Sequence, residues 1–204
     1  MLGRIRRTAL FELVFTLAIA LGLALSVQAL AVKPYRIPSG SMEPTLQIGD
    51  RVLVNRLFDH LGIGPKVGQI VVFHPPAGAG DDDRCGRSGE GPGEPRPCSK
   101  AVAAESGTAF VKRVVALGGD RLAIRDGHVY RNGVRERDAY AMPCGGGPAC
   151  TFSQTIVVPR GTVFLMGDNR GDSDDSRYWG PVPQSWLIGS VLARYWPPKR
   201  VDAL

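Results

Sequence analysis

Two serines flank one glycine at Ser39-Gly40-Ser41, within a stretch that runs from Pro38 to Leu46. Glycine permits backbone angles that other residues avoid, so a turn built on Gly40 can expose backbone N–H groups beside a hydroxyl. This arrangement suits a nucleophilic serine next to its own oxyanion donors. A plain Ser/Gly/Pro turn has the same composition, so the nucleophile hypothesis for Ser41 requires a base elsewhere in the chain.

Lys112 is the best candidate for that base, because it lies inside the apolar run Phe110–Leu117. Burial against apolar neighbours lowers the pKa of a lysine, so that a neutral amine exists near neutral pH, and Ser–Lys pairs use this chemistry. The alternative is an outward-pointing lysine on a half-exposed strand. The three histidines lie in turn-like sequence without a catalytic pattern: His60, His74 and His128.

A long polar turn, Gly167–Gly180, is rich in Asp, Asn, Ser and Arg. Asx turns and Arg–carboxylate pairs can build a hydrogen-bonded platform from such a segment. Within it, Ser173 is placed to orient a lysine amine, while Asp175 and Arg177 are expected to pair. A solvated or cation-binding loop is the alternative, although its Asp spacing does not follow the EF-hand pattern.

Short apolar runs between abundant Gly (26) and Pro (16) predict a mostly β, antiparallel fold that must position these residues. Asp126-Gly127 and Asn132-Gly133 predict the turns of a hairpin meander. Residues 77–108 are poor in apolar residues and predict a flexible surface insertion. The other strands are expected within 48–55 and around 67–73, 110–117, 155–158, 162–166 and 186–195.

The N-terminus predicts a membrane anchor. Leu13–Val32 is a run of 20 residues without a charge, preceded by Arg4, Arg6 and Arg7, and 20 helical residues span about 30 Å. The positive flank favours a cytoplasmic N-terminus. The predicted organisation is a short cytoplasmic segment at 1–8, a single transmembrane helix at 9–32 and an extracytoplasmic catalytic domain at 33–204. Because Ala29-Leu30-Ala31 resembles a cleavage site, a removable signal peptide is the alternative.

The four cysteines, Cys85, Cys98, Cys144 and Cys150, all follow the predicted anchor. An even count in an extracytoplasmic domain favours disulfides, and local pairing is favoured among three connectivities. Zinc is the alternative, but no C-x-x-C pair is present. The net charge of +6 suits an anionic lipid bilayer better than nucleic acid, since no nucleic-acid motif is found.

Three blocks together resemble the type I signal peptidases, the membrane-anchored serine proteases of peptidase family S26. They are Pro38–Asp50, Val111–Asp120 and Gly167–Gly180, and the similarity covers nearly the whole chain except 77–108. The resemblance implies a signal-peptidase fold of antiparallel β-sheet with a membrane-associating apolar surface, located at the plasma membrane. It implies cleavage of signal peptides from exported pre-proteins without a metal or organic cofactor.

The resemblance also implies residue roles. Ser41 would be the nucleophile and Lys112 the general base, with the Ser39 hydroxyl and the Ser41 backbone N–H as the oxyanion hole. Ser173 would orient the Lys112 amine, supported by Asp175 and Arg177. The signal peptide would lie extended along Ile37, Pro38 and Ser39, with Met42 lining the cleft. The Cys144–Cys150 spacing resembles a disulfide of some members, whereas Gly171-Asp172 departs from the Asp-Asn found in many.

Two other functions fit parts of the sequence. A self-cleaving Ser–Lys protease of the SOS-repressor type would carry an N-terminal DNA-binding domain, where this chain has an apolar run. A membrane-anchored, non-catalytic β-domain that binds peptides or lipids would need no reactive serine.

Overall fold

A computed structural model describes residues 11–22, 31–57, 64–81 and 85–204. Its strands form two antiparallel sheets, as the sequence predicts for a mostly β protein. The strands are β1 (Val32–Arg36), β2 (Arg51–Asn55), β3 (Ile70–Phe73), β4 (Phe110–Leu117), β5 (Arg121–Arg125), β6 (His128–Arg131), β7 (Val134–Arg135), β8 (Ile156–Val157), β9 (Thr162–Met166), β10 (Val182–Pro183), β11 (Leu187–Trp196) and β12 (Asp202–Ala203).

The larger sheet has the strand order β1-β2-β11-β3-β4-β9-β10, and β12 pairs with β11. β4 lies inside this sheet, between β3 and β9. Five consecutive residues of β4, beginning at Lys112, are buried. Strands buried on both faces have nearly continuous apolar sequences, as β3 does, whereas Lys112 and Arg113 interrupt the apolar sequence of β4. β4 thus holds Lys112 within the domain.

The smaller sheet has the order β7-β6-β5-β8. Its two hairpin turns place Asp126, Gly127, Asn132 and Gly133 at φ of 49°, 74°, 55° and 84°. Two consecutive left-handed residues define a type I′ turn, whose twist matches that of the flanking strands. The predicted meander is therefore confirmed, and its buried face packs on the core through Leu122, Ile124 and Val129.

Several short elements were not anticipated, and some strand bounds differ. The sequence signal is weak for β1, β10 and β12 and for the four-residue helix Ser176–Trp179. β3 begins at Ile70 instead of 67, because Gly68 adopts φ of 91° in a turn whose N–H donates to the Val114 carbonyl. Strands this short follow from pairing with neighbours and not from local pattern.

The predicted anchor is only partly described. Residues 11–22 are helical, whereas 1–10 and 23–30 lie outside the described residues, as does His60. Within the described part of the chain, no helix has the length and apolar character needed to cross a membrane. The predicted boundary at Val32 is wrong by at least one residue, because Val32 already belongs to β1 and pairs with Asn55.

The insertion at 77–108 contains no helix or named strand in its described part, but it packs against the domain. The Cys98 N–H donates to the Arg177 carbonyl, and the Gln154 N–H donates to the Pro95 carbonyl. Cys98 is buried, although the stretch reads as polar. Flexibility of this stretch therefore remains a prediction, while its described residues contact the elements that surround Arg177.

Candidate active site

The Ser41 hydroxyl is presented by a 3₁₀ turn, Gly40–Met42, that follows the extended Ser39. Met42 and Leu46 are buried below the turn and anchor it in the core. From the polar turn after β9, the Asn169 backbone N–H donates to the Ser41 carbonyl at 3.1 Å. The carbonyl of Ser41 is thus fixed, while its side chain faces a cleft.

The Lys112 amine donates a hydrogen bond to Ser41 Oγ at 2.6 Å. The outward-pointing alternative is wrong, because Lys112 retains only 4% of its exposure. Burial lowers its pKa from 10.5 to about 8, although Asp175, Asp174 and Asp172 raise it and Arg177 lowers it further. A neutral amine beside a serine hydroxyl can accept the hydroxyl proton.

Ser39 Oγ lies 3.4 Å from Ser41 Oγ. The two hydroxyls therefore stand side by side at the mouth of the cleft, which is the position expected for an auxiliary oxyanion donor. Ser39 has extended backbone angles, with φ of −134° and ψ of 161°. This geometry directs the preceding residues away from the turn along an extended path.

Asp175 and Arg177 pair as predicted. Arg177 donates from Nε to Oδ1 at 2.8 Å and from Nη2 to Oδ2 at 2.9 Å, and both side chains are fully buried. Burial alone would raise the pKa of Asp175, but the Arg177 charge and hydrogen bonds hold it below its usual value. A bidentate pair of this kind fixes both side chains in one geometry, and Asp175 also caps the helix Ser176–Trp179.

We expected Ser173 to orient the Lys112 amine, but among the described residues its hydroxyl forms no hydrogen bond with that amine. Its hydroxyl donates to Asp175 Oδ2 at 2.9 Å, since a buried carboxylate recruits every donor within reach. Among the described residues, Ser41 Oγ is the hydrogen-bond acceptor of the Lys112 amine. Gly167 makes this packing possible, because a Cβ there would overlap the Ser173 side chain and the Ser41 carbonyl.

Sequence reasoning missed a second buried network beside the dyad. Arg113 donates from Nε and Nη2 to the Asp168 carboxylate at 2.8 and 2.6 Å, and Thr45 Oγ1 donates to the same carboxylate at 2.6 Å. The network ties β4 and the polar turn to the serine stretch. Its signal was an arginine inside an apolar strand, since such a charge requires a buried partner.

A cleft of about 540 Å³ opens at Ser41, between residues 35–42 on one side and 108–112 on the other. Ile37, Pro38 and Met42 line it, as expected for substrate-cleft residues, and Asp172 and Asp174 line it as well. Ile37 and Met42 are 2% and 1% exposed. A cleft that combines apolar side chains with convergent polar groups is typical of a binding site.

The cysteines lie in the two local pairs, with Cα–Cα distances of 5.6 Å for Cys85–Cys98 and 5.7 Å for Cys144–Cys150. The loop closed by Cys144 and Cys150 touches the platform, because Arg177 Nη1 donates to the Ala149 carbonyl at 3.1 Å. This loop therefore contributes an acceptor to the arginine that holds Asp175.

A serine hydroxyl bonded to a buried lysine amine, at the end of a β-sheet cleft, is the arrangement used by Ser–Lys hydrolases. The family model "Signal peptidase, peptidase S26" matches residues 10–196. The chain belongs to this family, as its three sequence blocks predicted, and is a serine endopeptidase of the signal peptidase I type.

Individual relatives agree with this assignment. The chain is 37% identical over 184 residues to a probable signal peptidase I-1 of Synechocystis, covering 90% of this chain and 81% of the relative. It is 31% identical to a signal peptidase I of Leptolyngbya laminosa, covering 96% and 84%. A solved signal peptidase I of Enterococcus faecalis V583 aligns with 62% of this chain and 95% of its own, at 25% identity and a TM-score of 0.37.

Proposed function

We propose that the chain removes N-terminal signal peptides from exported pre-proteins, with Ser41 as nucleophile and Lys112 as general base. The observation that carries the proposal is the 2.6 Å hydrogen bond between the Lys112 amine and Ser41 Oγ, both of which line the cleft. The lowered pKa of Lys112, about 8, supports it, because an effective base has a pKa near the working pH.

In the acylation step, neutral Lys112 accepts the Ser41 proton as Oγ attacks the carbonyl that precedes the cut. A C–O bond forms, the tetrahedral intermediate collapses, and the C–N bond breaks as Lys112 returns the proton to the leaving amine. Water then attacks the ester with help from the same amine, which releases the signal peptide and regenerates Ser41. The Lys112 amine thus carries the proton in both steps.

The oxyanion of both intermediates would be stabilised by the Ser39 hydroxyl and the Ser41 backbone N–H. The 3.4 Å separation of the two hydroxyls supports this role for Ser39, since the oxyanion forms on the oxygen of the carbonyl group whose carbon Ser41 attacks, close to both serines. Removing one such donor typically costs about 2.7–4 kcal/mol of transition-state stabilisation.

The platform would keep Lys112 in place without touching it directly. Arg177 neutralises Asp175, and Ser173 donates to the same carboxylate. The negative charge of Asp175 still raises the pKa of Lys112, opposing the larger effect of burial. We propose that Ser173, Asp175 and Arg177 act by fixing the field and the packing around the amine.

The substrate would bind as an added strand. Residues 37–39 follow β1 at the edge of the larger sheet, where an extended peptide would find backbone partners. Alternate side chains of an extended substrate point towards the enzyme, so those one and three residues before the cut face the cleft. Ile37 and Met42 are buried and line the cleft, and the resemblance to signal peptidases implies shallow pockets there, which would favour cutting after A-x-A sequences.

Attachment to the lipid bilayer would bring the cleft to its substrates. Residues 9–31 would form the single transmembrane helix, with the N-terminus cytoplasmic and residues 32–204 on the outer side of the plasma membrane. Apolar side chains exposed near the C-terminus support contact with lipid: Leu192 at 44%, Trp196 at 48% and Val201 at 60%. Interfacial tryptophan is common at membrane surfaces.

Cleavage of a purified pre-protein in detergent tests the proposal. Wild type should release the mature protein, while Ser41→Ala and Lys112→Ala should each abolish release, with little further loss in the double variant because the two residues act as a unit. Ser153→Ala and Lys66→Ala change exposed residues and serve as matched controls. Near-normal release by Lys112→Ala would contradict the assignment of the base.

A further inference from the structure

We infer that Asp172 and Asp174 select substrates by charge, favouring basic and disfavouring acidic residues just after the cut. The inference rests on the proposed function, because it concerns the occupant of the same cleft. The inference assigns a role to two aspartates that take no part in the proton transfers of the proposed mechanism.

From Asp172 to Asp175, successive side chains alternate between exposed and buried positions. Ser173 and Asp175 point inward and are buried, whereas Asp172 and Asp174 are exposed and line the cleft. Asp175 is fully engaged by Arg177 and Ser173. In the described part of the chain, the carboxylates of Asp172 and Asp174 accept no hydrogen bond and form no ion pair, so their charges are directed to the cleft.

Both carboxylates line the same cleft as Ser41 and Lys112, and each raises the pKa of Lys112. Arg36, of opposite charge, lines the cleft five residues before Ser41. In the proposed binding mode, the substrate residues before the cut lie along Ile37 and Pro38, beside Arg36. We assign the two carboxylates to the residues after the cut, which occupy the remainder of the cleft.

The chemistry of the reaction adds a reason for negative charge beside the substrate residues that follow the cut. The group that departs from Ser41 is an amine, and a free α-amino group has a pKa of about 7.7–8.0, so it becomes largely cationic near neutral pH. Asp172 and Asp174 attract that cation and a basic side chain beside it, and they repel an acidic side chain. Since both carboxylates are exposed, the effect should weaken as salt screens it.

The test uses three peptides that share one signal segment and differ in the second residue after the cut: Lys, Gln or Glu. We expect wild type to show kcat/KM in the order Lys, Gln, Glu, with a Lys-to-Glu ratio of about tenfold at low ionic strength that falls towards one in high salt. Asp172→Asn/Asp174→Asn should reduce the ratio to about one. Asp174→Asn alone should reduce it to about threefold, which keeps the test valid if the double variant fails to fold.

The ratio is insensitive to the pKa of Lys112, because any change in that base affects the three peptides equally. Glu94→Gln removes an exposed carboxylate outside the cleft and should leave the ratio unchanged. Equal cleavage of the three peptides by wild type, or a ratio that survives in the double variant, would overturn this inference alone. Failure of wild type to cleave the Gln peptide would instead overturn the proposed function and this inference with it.

Discussion

The pH dependence of cleavage should report the pKa of Lys112 directly. With a pKa of about 8, the amine is neutral in about a tenth of the molecules at pH 7, about half at pH 8 and about nine-tenths at pH 9. Because only the neutral amine can accept the Ser41 proton, kcat/KM should rise about tenfold from pH 7 to pH 9 and then level off.

Other bases give different curves over the same range. A lysine with the ordinary pKa of about 10.4 would produce a rise of roughly a hundredfold from pH 7 to pH 9 without a plateau, whereas a histidine of about 6.5 would produce a rise of only about 1.3-fold. Burial is the dominant cause of the lowered pKa of Lys112, so the midpoint tests the packing around its amine.

The assay is kcat/KM for a peptide without titratable groups near the cut, measured from pH 6 to pH 10 at constant ionic strength, with circular dichroism to verify the fold at each pH. The exposed Lys66→Ala variant should give the same profile as wild type. A flat profile, a midpoint near 6.5, or a rise without a plateau up to pH 10 would refute the reasoning about Lys112.

Three further predictions follow from the same contacts. Lys112→Met should increase the free energy of unfolding by up to about 3 kcal/mol below pH 8, because the pKa of Lys112 is about 8 in the folded state and 10.5 in the unfolded state. Denaturant titrations at several pH values should show this gain vanish as the pH rises to 10.5. Replacing the small residue before the cut with Phe should block processing, and efficient cutting of that variant at the same bond would contradict the shallow pocket beside Met42. Mass mapping of the exported protein without reduction should find Cys144 linked to Cys150, whereas two free thiols would remove the pairing.

The local sequence pattern was sufficient to predict those segments whose structure does not depend on distant residues. The type I′ hairpins followed from Asp126-Gly127 and Asn132-Gly133, because few sequences adopt two successive left-handed residues. The serine turn and the apolar β4 were likewise readable, and the family resemblance joined Ser41 to Lys112 across 71 positions of sequence. The bidentate Asp175–Arg177 pair was expected from composition alone.

Long-range contacts were not readable in the same way. The donation of Ser173 to Asp175, in place of Lys112, depends on which acceptor is buried within reach. The Arg113–Asp168–Thr45 network joins three separate segments, so no local period reveals it. The polar 85–108 stretch packs through backbone hydrogen bonds, which composition does not encode.

The most direct test of the central claim is labelling by a serine-directed acylating probe, followed by mass spectrometric mapping of the modified residue. We predict that wild type is acylated at Ser41 and that labelling increases with pH through about 8, as the neutral fraction of Lys112 grows. Ser41→Ala should remain unlabelled, and Lys112→Ala should be labelled far more slowly. Labelling of another residue, or equal labelling of Ser41→Ala, would contradict the account.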